Sequence, residues 1–289
     1  MTGGVLVSQA LALFRLLRPR QWIKNAFVFA PLLFTGRYTD EASLSETFNA
    51  FVVFCIASSS VYILNDLRDI ESDRLHPKKS KTRPLAAGLI KPVVAQMCLL
   101  FLVIVLALAL FRNPELVPSV LGYIVLNIAY SLYLKHQPVL DIFTIATGFV
   151  LRIFAGASAL SVPLSSWMFV TGFSLALYLA AMKRLSEIKE TGTESRKVLE
   201  MYSQDLMEKF TLIAAISSLT FYSLFTLTTR PELIGTIPLV LFGVMRYWYV
   251  ADHLKGGESP TDALSRDWQL ILTGLIWLVL VVWGINPLT

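Results

Sequence analysis

Long apolar runs recur along the whole chain and set the strongest limit on its fold. About 20 apolar residues suffice to cross the hydrocarbon core of a bilayer. The composition agrees with repeated crossing, because 55% of the 289 residues are hydrophobic and only 16% are charged. We therefore predict an all-α polytopic membrane protein with a single transmembrane domain over residues 1–289. The first run is short and contains Pro31. The nine predicted spans lie near 22–36, 47–65, 88–111, 116–134, 138–160, 164–182, 208–229, 232–250 and 269–286.

Basic residues are distributed unequally between the two sides that nine spans create. If the N-terminus is cytoplasmic, 21 of the 25 Lys and Arg residues fall on the cytoplasmic side, three fall on the other side, and Arg152 lies within a span. Cytoplasmic loops characteristically carry this excess. The sequence thus predicts a multi-pass protein of the plasma membrane with a cytoplasmic N-terminus and a cytoplasmic active site. The net charge of +5 indicates a membrane surface and anionic ligands, and no nucleic acid.

The most highly charged stretch follows the second span. In a continuous helix, Asp66, Asp69 and Asp73 occupy positions i, i+3 and i+7 and share one face, with Asn65 at its edge. Mg²⁺ takes oxygen ligands and commonly bridges carboxylates to substrate phosphates. This pattern predicts a Mg²⁺–diphosphate site; the alternative is a solvated, mixed-charge loop. Basic residues suited to phosphate oxygens follow directly: Lys78, Lys79, Lys81 and Arg83.

The loop before the fifth span offers a second set of polar side chains. Lys135 is a candidate phosphate contact, and Asp141 places a carboxylate in the first turn of the next helix. Tyr130 lies just before this loop. The alternative is an interfacial anchor of Tyr and Lys, which is common at membrane edges.

The loop after the sixth span begins with Lys183, Arg184 and Glu187. Glu187 is four residues from Lys183 and three from Arg184, so an ordinary intrahelical ion pair is one interpretation. The other is that two cations and one metal-binding or ribose-binding carboxylate lie at the rim of the same cavity. The stretch from Lys189 to Glu208 is interpreted as mostly solvated.

Two further charges lie within or beside spans. Arg152 is roughly 16 Å along its helix from Asp141, near mid-membrane, where a charge is costly and usually has a partner or a polar cavity. It is expected to pair with an acid or to help hold an anionic ligand. Gly148 and Gly156 permit close helix packing near it. Asp267 directly precedes the final span and is a weaker substrate-binding candidate.

These motifs resemble the UbiA-type membrane prenyltransferase superfamily. Asn65-Asp66-x-x-Asp69-x-x-x-Asp73 after an apolar span is similar to its first aspartate-rich motif. A second motif, DxxxD, normally follows the sixth span, whereas here Lys183-Arg184-Leu185-Ser186-Glu187 stands in its place. This departure is similar to the branch that contains decaprenyl-phosphate phosphoribosyltransferase. Other pieces resemble that branch: Arg18-Pro19-Arg20-Gln21-Trp22-Ile23-Lys24-Asn25, His76-Pro77, Arg83-Pro84-Leu85-Ala86-Ala87-Gly88 and Leu134-Lys135-His136.

The resemblance implies a nine-helix fold and a Mg²⁺-dependent transfer of 5-phosphoribose from 5-phosphoribosyl 1-diphosphate to polyprenyl phosphate, for the supply of cell-wall arabinose. The sequence does not set the oligomeric state, and a homo-oligomer is compatible with it. We predict that Asn65, Asp66, Asp69 and Asp73 are catalytic, the three aspartates as metal ligands. The predicted substrate-binding residues are Lys24, Lys81, Arg83, Tyr130, Lys135, Asp141, Arg152, Lys183, Arg184, Glu187 and Asp267.

Two other functions are compatible with parts of the pattern. An ordinary member of the superfamily moves a prenyl group to an aromatic or tetrapyrrole acceptor, and a DxxxD motif after the sixth span would favour it. A transporter with an ionised cavity would carry charges near mid-membrane in several spans, whereas only Arg152 is placed there. Acidic residues clustered at one interface fit chemistry on a lipid head group better.

Overall fold

Helices form all the regular secondary structure in the described part of the chain. The computed structural model describes residues 10–75, 79–191, 197–253 and 267–285. Residues 10–16 are helical, and 3₁₀ turns at several helix ends join consecutive helices. Twelve helices follow within these ranges: α1 (Pro19–Phe29, 3₁₀), α2 (Ala30–Phe34), α3 (Glu41–Arg68), α4 (Ile70–Leu75), α5 (Lys79–Thr82), α6 (Pro92–Arg112), α7 (Val117–Leu132), α8 (Leu140–Ala159), α9 (Ser166–Thr191), α10 (Gln204–Thr229), α11 (Ile237–His253) and α12 (Trp268–Gly284).

The helix lengths confirm a polytopic membrane protein but not the count of nine spans. Within the described ranges, seven helices are long and apolar enough to cross a bilayer, and they coincide with the second to eighth predicted spans. The last predicted span, α12, is an apolar helix of only 17 residues. The first predicted span is divided between α1 and α2, because Pro31 stands in the first turn of α2.

The first predicted span adopts an unusual conformation. Arg18 has a left-handed backbone (φ 55°, ψ 55°), and the 11 residues of α1 then form a 3₁₀ helix. At about 2.0 Å per residue, α1 is roughly 22 Å long, although 3₁₀ runs of this length are uncommon. Packing stabilises it, because Val28 is fully buried against α3 and α8.

One glycine of α8 allows the close approach of this first segment. A Cβ atom on Gly156 would lie 1.9 Å from the carbonyl oxygen of Val28 and 3.2 Å from the side chain of Pro31. The backbones of α1 and α8 therefore touch at a point where no other residue fits. This explains the small residue predicted to favour helix packing there.

Gly156→Ala is expected to destabilise the protein by more than the roughly 1–3 kcal/mol typical of overpacking, because the methyl group meets backbone rather than a flexible side chain. Thermal unfolding in detergent measures the effect. Gly274→Ala in α12 is the matched control, since nothing lies within 4 Å of its added methyl group. Equal thermal unfolding midpoints for the two variants would contradict the close contact between Gly156 and Val28.

Candidate active site

Two buried carboxylates, one in the last turn of α3 and one in α4, contact the same guanidinium. Asp66 and Asp73 are each about 2% exposed. Arg83 lies 3.1 Å from Asp66 Oδ1 and also binds Asp73 Oδ2. Arg18 binds Asp66 from the first segment, and Lys79 Nζ lies 3.4 Å from Asp73 Oδ1. These five residues form what we call the first charged cluster. It holds two acids and three bases, so it carries a net positive charge.

The third aspartate of the motif lies apart from this cluster. The expectation that one continuous helix carries all three carboxylates is wrong, because α3 ends at Arg68 and α4 starts at Ile70. Asp69 is the C-cap of α3, and its carboxylate is 35% exposed, 4.0 Å from Arg68. In the described ranges, no three His, Cys, Asp or Glu side chains lie close enough to hold a metal ion. Metal binding by the three aspartates therefore stays a prediction.

A second charged cluster surrounds Arg184 of α9. Its guanidinium is 1% exposed and uses three nitrogens on three partners. Nε lies 2.8 Å from Asp141 Oδ2, Nη1 lies 2.7 Å from Glu187 Oε2, and Nη2 donates to the Tyr130 hydroxyl at 3.0 Å. Tyr202 completes the cluster by donating to Asp141 Oδ1 at 2.8 Å. Here a buried cation is compensated by two carboxylates, as burial of charge requires.

The intrahelical ion pair expected as one interpretation of Glu187 is confirmed, although it is only part of this network. Lys183 contributes more weakly, with Nζ 3.9 Å from Glu187 Oε1. Each of the three Arg184 nitrogens already contacts a protein partner, and a direct phosphate contact by Arg184 stays a prediction. Asp141 is fully buried and engaged by both Arg184 and Tyr202.

Adjacent residues at the end of α7 join the two clusters. Tyr130 accepts from Arg184 of the second cluster. The Ser131 hydroxyl donates to Asn65 Oδ1 at 2.8 Å, next to Asp66 of the first cluster. The C-terminal ends of α3, α7 and α9 therefore place both clusters on one side of the bundle. The predicted grouping of these motifs at one face is thus observed in the structure.

The candidate phosphate contacts outside the two clusters differ in their surroundings. Lys81 is exposed on α5, and Lys135 is partly buried in the 3₁₀ turn after α7. Neither has an ion-pair partner within the described part of the chain. Lys24 lies on α1 and is partly buried. Lys78 and His76-Pro77 lie outside the described residues.

Arg152 is buried in the bundle without an acidic partner among the described residues. Its Nε donates to Asn25 Oδ1 at 2.7 Å, Nη1 donates to the Gly148 carbonyl at 2.6 Å, and Nη2 lies 3.3 Å from the Tyr123 hydroxyl. The expected pairing with an acid is therefore wrong. Three aromatic rings lie within 6 Å of the guanidinium and compensate part of its charge: Phe54, Tyr123 and Phe149.

Asp267 has a local structural explanation. It is the N-cap of α12, accepting the Leu270 N–H at 2.9 Å, and its other oxygen lies 2.7 Å from Arg246 of α11. The hydrogen bond from Arg246 holds the pKa of this carboxyl below its usual value. Asp267 therefore joins α11 to α12, and its contact with a substrate stays a prediction.

This ion pair predicts loss of stability in acid. Because the folded pKa of Asp267 is depressed, its contribution is complete above the ordinary value near 3.9 and disappears as pH falls through the folded pKa. Asp267→Asn should therefore flatten the acid limb of a plot of thermal midpoint against pH. Part of the loss of stability in acid should remain in this variant, because the pKa of Asp40 is also lowered, by its hydrogen bond with Ser43. An unchanged acid limb in Asp267→Asn would contradict the assignment.

An apolar cleft of about 880 Å³ opens between α1, α2, α9, α10, α11 and α12. On α9 it extends to Leu179, five residues before Arg184, which is roughly 8 Å along the helix. Its polar groups are few, and the Thr171 hydroxyl is buried without a hydrogen-bond partner among the described residues. An unbranched or polyprenyl hydrocarbon chain fits such a lining.

The residues of this region that were not predicted as site residues include Arg18, Asn25, Ser131 and Tyr202. Arg18 and Asn25 belong to the stretch that resembles the phosphoribosyltransferase branch, so the resemblance marked them. Tyr202 had no local signal. It lies in a stretch expected to be mostly solvated, which is wrong for Val198, Leu199 and Tyr202, because all three are buried.

Comparisons with known proteins identify similar sequences and structures. Among curated proteins, the decaprenyl-phosphate phosphoribosyltransferase of Mycolicibacterium smegmatis is 37% identical, over 96% of this chain and 93% of that protein. The Corynebacterium glutamicum protein of the same name is 33% identical, over 94% and 86%.

Solved structures show the same fold. A UbiA homologue from Archaeoglobus fulgidus, bound to DMAPP and Mg²⁺, superposes with a TM-score of 0.71 at 20% identity, covering 95% of this chain and 99% of that one. The model of the UbiA prenyltransferase family matches residues 26–250. The predicted resemblance is thus confirmed, and the chain belongs to the UbiA prenyltransferase family.

Proposed function

We propose that this protein transfers 5-phosphoribose from 5-phosphoribosyl 1-diphosphate to a polyprenyl phosphate and releases diphosphate. Its relatives named decaprenyl-phosphate phosphoribosyltransferase cover more than nine-tenths of the chain. The observation that carries the proposal is the pairing of two charged clusters, joined through Tyr130 and Ser131, with an apolar cleft beside them. A substrate pair with several phosphates and one long hydrocarbon chain fits this combination.

The first charged cluster suits a diphosphate. Arg18, Arg83 and Lys79 outnumber the carboxylates of Asp66 and Asp73, and guanidinium groups bind phosphate oxygens in a bidentate manner. Binding of a polyanion therefore balances the excess positive charge. The 5-phosphate of the donor and the phosphate of the lipid require further cations, which Lys81, Lys135 and Lys183 supply in this proposal.

Asp66 and Asp73 also fit a divalent cation. Their oxygens already converge on one cationic group, Arg83, and two carboxylates are a typical protein contribution to a Mg²⁺ site. Asp69 is the third predicted ligand. Bound Mg²⁺ would neutralise the diphosphate leaving group. The amide group of Asn65, which accepts a hydrogen bond from Ser131, belongs to the residue next to Asp66 in the chain.

The reaction then requires little proton transfer from the protein. Departure of diphosphate from the anomeric carbon gives an oxocarbenium-like state, as in other glycosyl transfers. The lipid phosphate is already an anion and attacks that carbon directly. The residues of this chain therefore serve mainly to orient two anions and to exclude water, for which the buried second cluster is suited.

The lipid acceptor would place its phosphate at the charged side and its hydrocarbon chain in the apolar cleft. The excess of Lys and Arg on this side supports a cytoplasmic location for it. The product, polyprenyl-phosphoryl-5-phosphoribose, would lie in the plasma membrane. There it would serve as a source of arabinose for cell-wall glycans.

A radiolabel assay in detergent tests the proposal. Labelled 5-phosphoribosyl 1-diphosphate, Mg²⁺ and a short polyprenyl phosphate are mixed with the protein or with Asp69→Ala. We expect label in the lipid phase only with the unmodified protein. No label in lipid, together with consumption of a prenyl diphosphate in the presence of an aromatic acceptor, would instead identify ordinary prenyl transfer.

A further inference from the structure

Residues 197–203, which directly precede α10, pack over the second charged cluster. Val198, Leu199 and Tyr202 are buried in the same apolar core as α9 and α10. The Tyr202 hydroxyl donates to Asp141 Oδ1 at 2.8 Å and accepts the backbone N–H of Val139. One phenol thus contacts both a buried carboxylate and the backbone two residues before it.

Val139 has a strained backbone. Its φ is 69° and its ψ is −48°, and the N–H of Leu140 donates to the carbonyl of Pro138 at 2.8 Å. This geometry is the rare γ-turn with positive φ at its central residue. A β-branched residue at positive φ is a genuine outlier, and it persists only where its surroundings hold it. The hydrogen bond from Val139 to Tyr202 is one such restraint.

The turn determines where α8 begins and how its first acidic residue is presented. Asp141 is the second residue of α8, is fully buried, and lies 2.8 Å from Arg184 Nε. Burial raises the pKa of the Tyr202 phenol, so the hydroxyl keeps its proton at neutral pH. Without this hydroxyl, Asp141 Oδ1 and the Val139 N–H both lose their partner.

We infer that Tyr202 is a positioning residue that holds the strained turn at Val139 and thereby fixes Asp141 against Arg184. This inference rests on the proposed function, since it assigns to Tyr202 the alignment of the site that receives the ribosyl donor. Tyr202 acts through Asp141 and contacts no substrate itself.

A double-mutant cycle tests the link. Tyr202→Phe keeps the ring, which packs at 87° against Phe210, and removes only the hydroxyl. We expect a fall in kcat of about tenfold, because Asp141 and the Val139 N–H both lose a hydrogen bond at a site that must be held in place. Glycine adopts positive φ without strain, so Val139→Gly should reduce that loss to about threefold or less.

Tyr133→Phe is the matched control. Tyr133 is 61% exposed and, like Val139, lies between α7 and α8. The activity of this variant should be unchanged. Thermal midpoints are measured for the same four proteins of the cycle. The cost of Tyr202→Phe should also be smaller in the Val139→Gly variant than in the protein that retains Val139. If Tyr202→Phe alone does not fold, the double variant is expected to restore folding.

Strictly additive effects in activity and in midpoint would overturn the inference, as would full activity of Tyr202→Phe or a double variant that stays unfolded. If the unmodified protein transfers no ribosyl group, the proposed function fails instead. The cycle of thermal midpoints then still decides whether Tyr202 holds the turn.

Discussion

Asp66→Asn is expected to reduce transfer of 5-phosphoribose by about a thousandfold or more, equivalent to about 4 kcal/mol of transition-state stabilisation. Asparagine has the shape of aspartate but no charge. The change leaves Arg18, Arg83 and Lys79 facing Asp73 alone, and it removes one proposed metal ligand. The radiolabel assay measures kcat and the KM of the donor.

A matched control lies in the same segment. Glu71→Gln removes a carboxylate that is 86% exposed and paired only with its neighbour Arg74 at 3.1 Å among the described residues. Its kcat should stay within about twofold of the unmodified protein, because exposed ion pairs contribute little. Similar losses in Glu71→Gln and Asp66→Asn would show that the general charge of the segment matters, rather than the buried cluster. Binding of Mn²⁺ to the detergent-solubilised protein gives a second measurement without turnover, and Asp66→Asn should weaken it.

Arg184→Gln is expected to destabilise the protein by about 3–5 kcal/mol, the range for breaking a buried ion pair by removing one partner. Asp141 would then lose its cation, Glu187 would keep only Lys183 at 3.9 Å, and the Tyr130 hydroxyl would lose its donor. Arg184→Lys should rescue only part of the stability, because an ammonium group lacks the planar geometry that reaches three partners. Thermal unfolding in detergent measures both changes.

The double variant Arg184→Gln with Asp141→Asn separates charge from packing. It removes one acid and one base, so it should be more stable than Arg184→Gln alone, while its transfer activity stays low. Lys183→Gln is the control, since Lys183 lies 3.9 Å from Glu187 and is 31% exposed. It should cost less than about 1 kcal/mol. If the double variant is no more stable than Arg184→Gln, the buried ion pair is not the source of the loss.

Several features followed directly from local patterns. Apolar runs predicted the membrane helices from the second to the eighth span, because burial in lipid demands about 20 apolar residues whatever the neighbours are. The aspartate-rich stretch and the residues that replace DxxxD predicted the family and its branch, and the comparisons confirmed that resemblance. Gly156 was recognised as a packing residue from its small size near Arg152.

Other features depended on contacts between distant segments. The helical periodicity of Asp66, Asp69 and Asp73 assumed a continuous helix, but α3 ends at Arg68, and of the three only Asp66 and Asp73 contact Arg83. Arg152 was expected to pair with an acid or to help hold an anionic ligand. Among the described residues it pairs with no acid and binds Asn25 of α1, 127 residues earlier in the chain, and its contact with a ligand stays a prediction. Tyr202 belongs to no sequence motif, because its hydrogen bonds with Asp141 and Val139 form only when distant segments pack together.

The sequence by itself determined the family, the membrane helices from the second to the eighth span and the gathering of the charged motifs on one side of the bundle, because hydropathy and charge act locally and need no knowledge of packing. The tertiary structure decided which charges pair, because a buried carboxylate or guanidinium takes whatever partner the packing of distant helices brings within about 3 Å. Arg184 thus lies between Asp141 and Glu187, and Arg83 between Asp66 and Asp73. These two guanidinium groups define the site, and only the folded chain brings them to it.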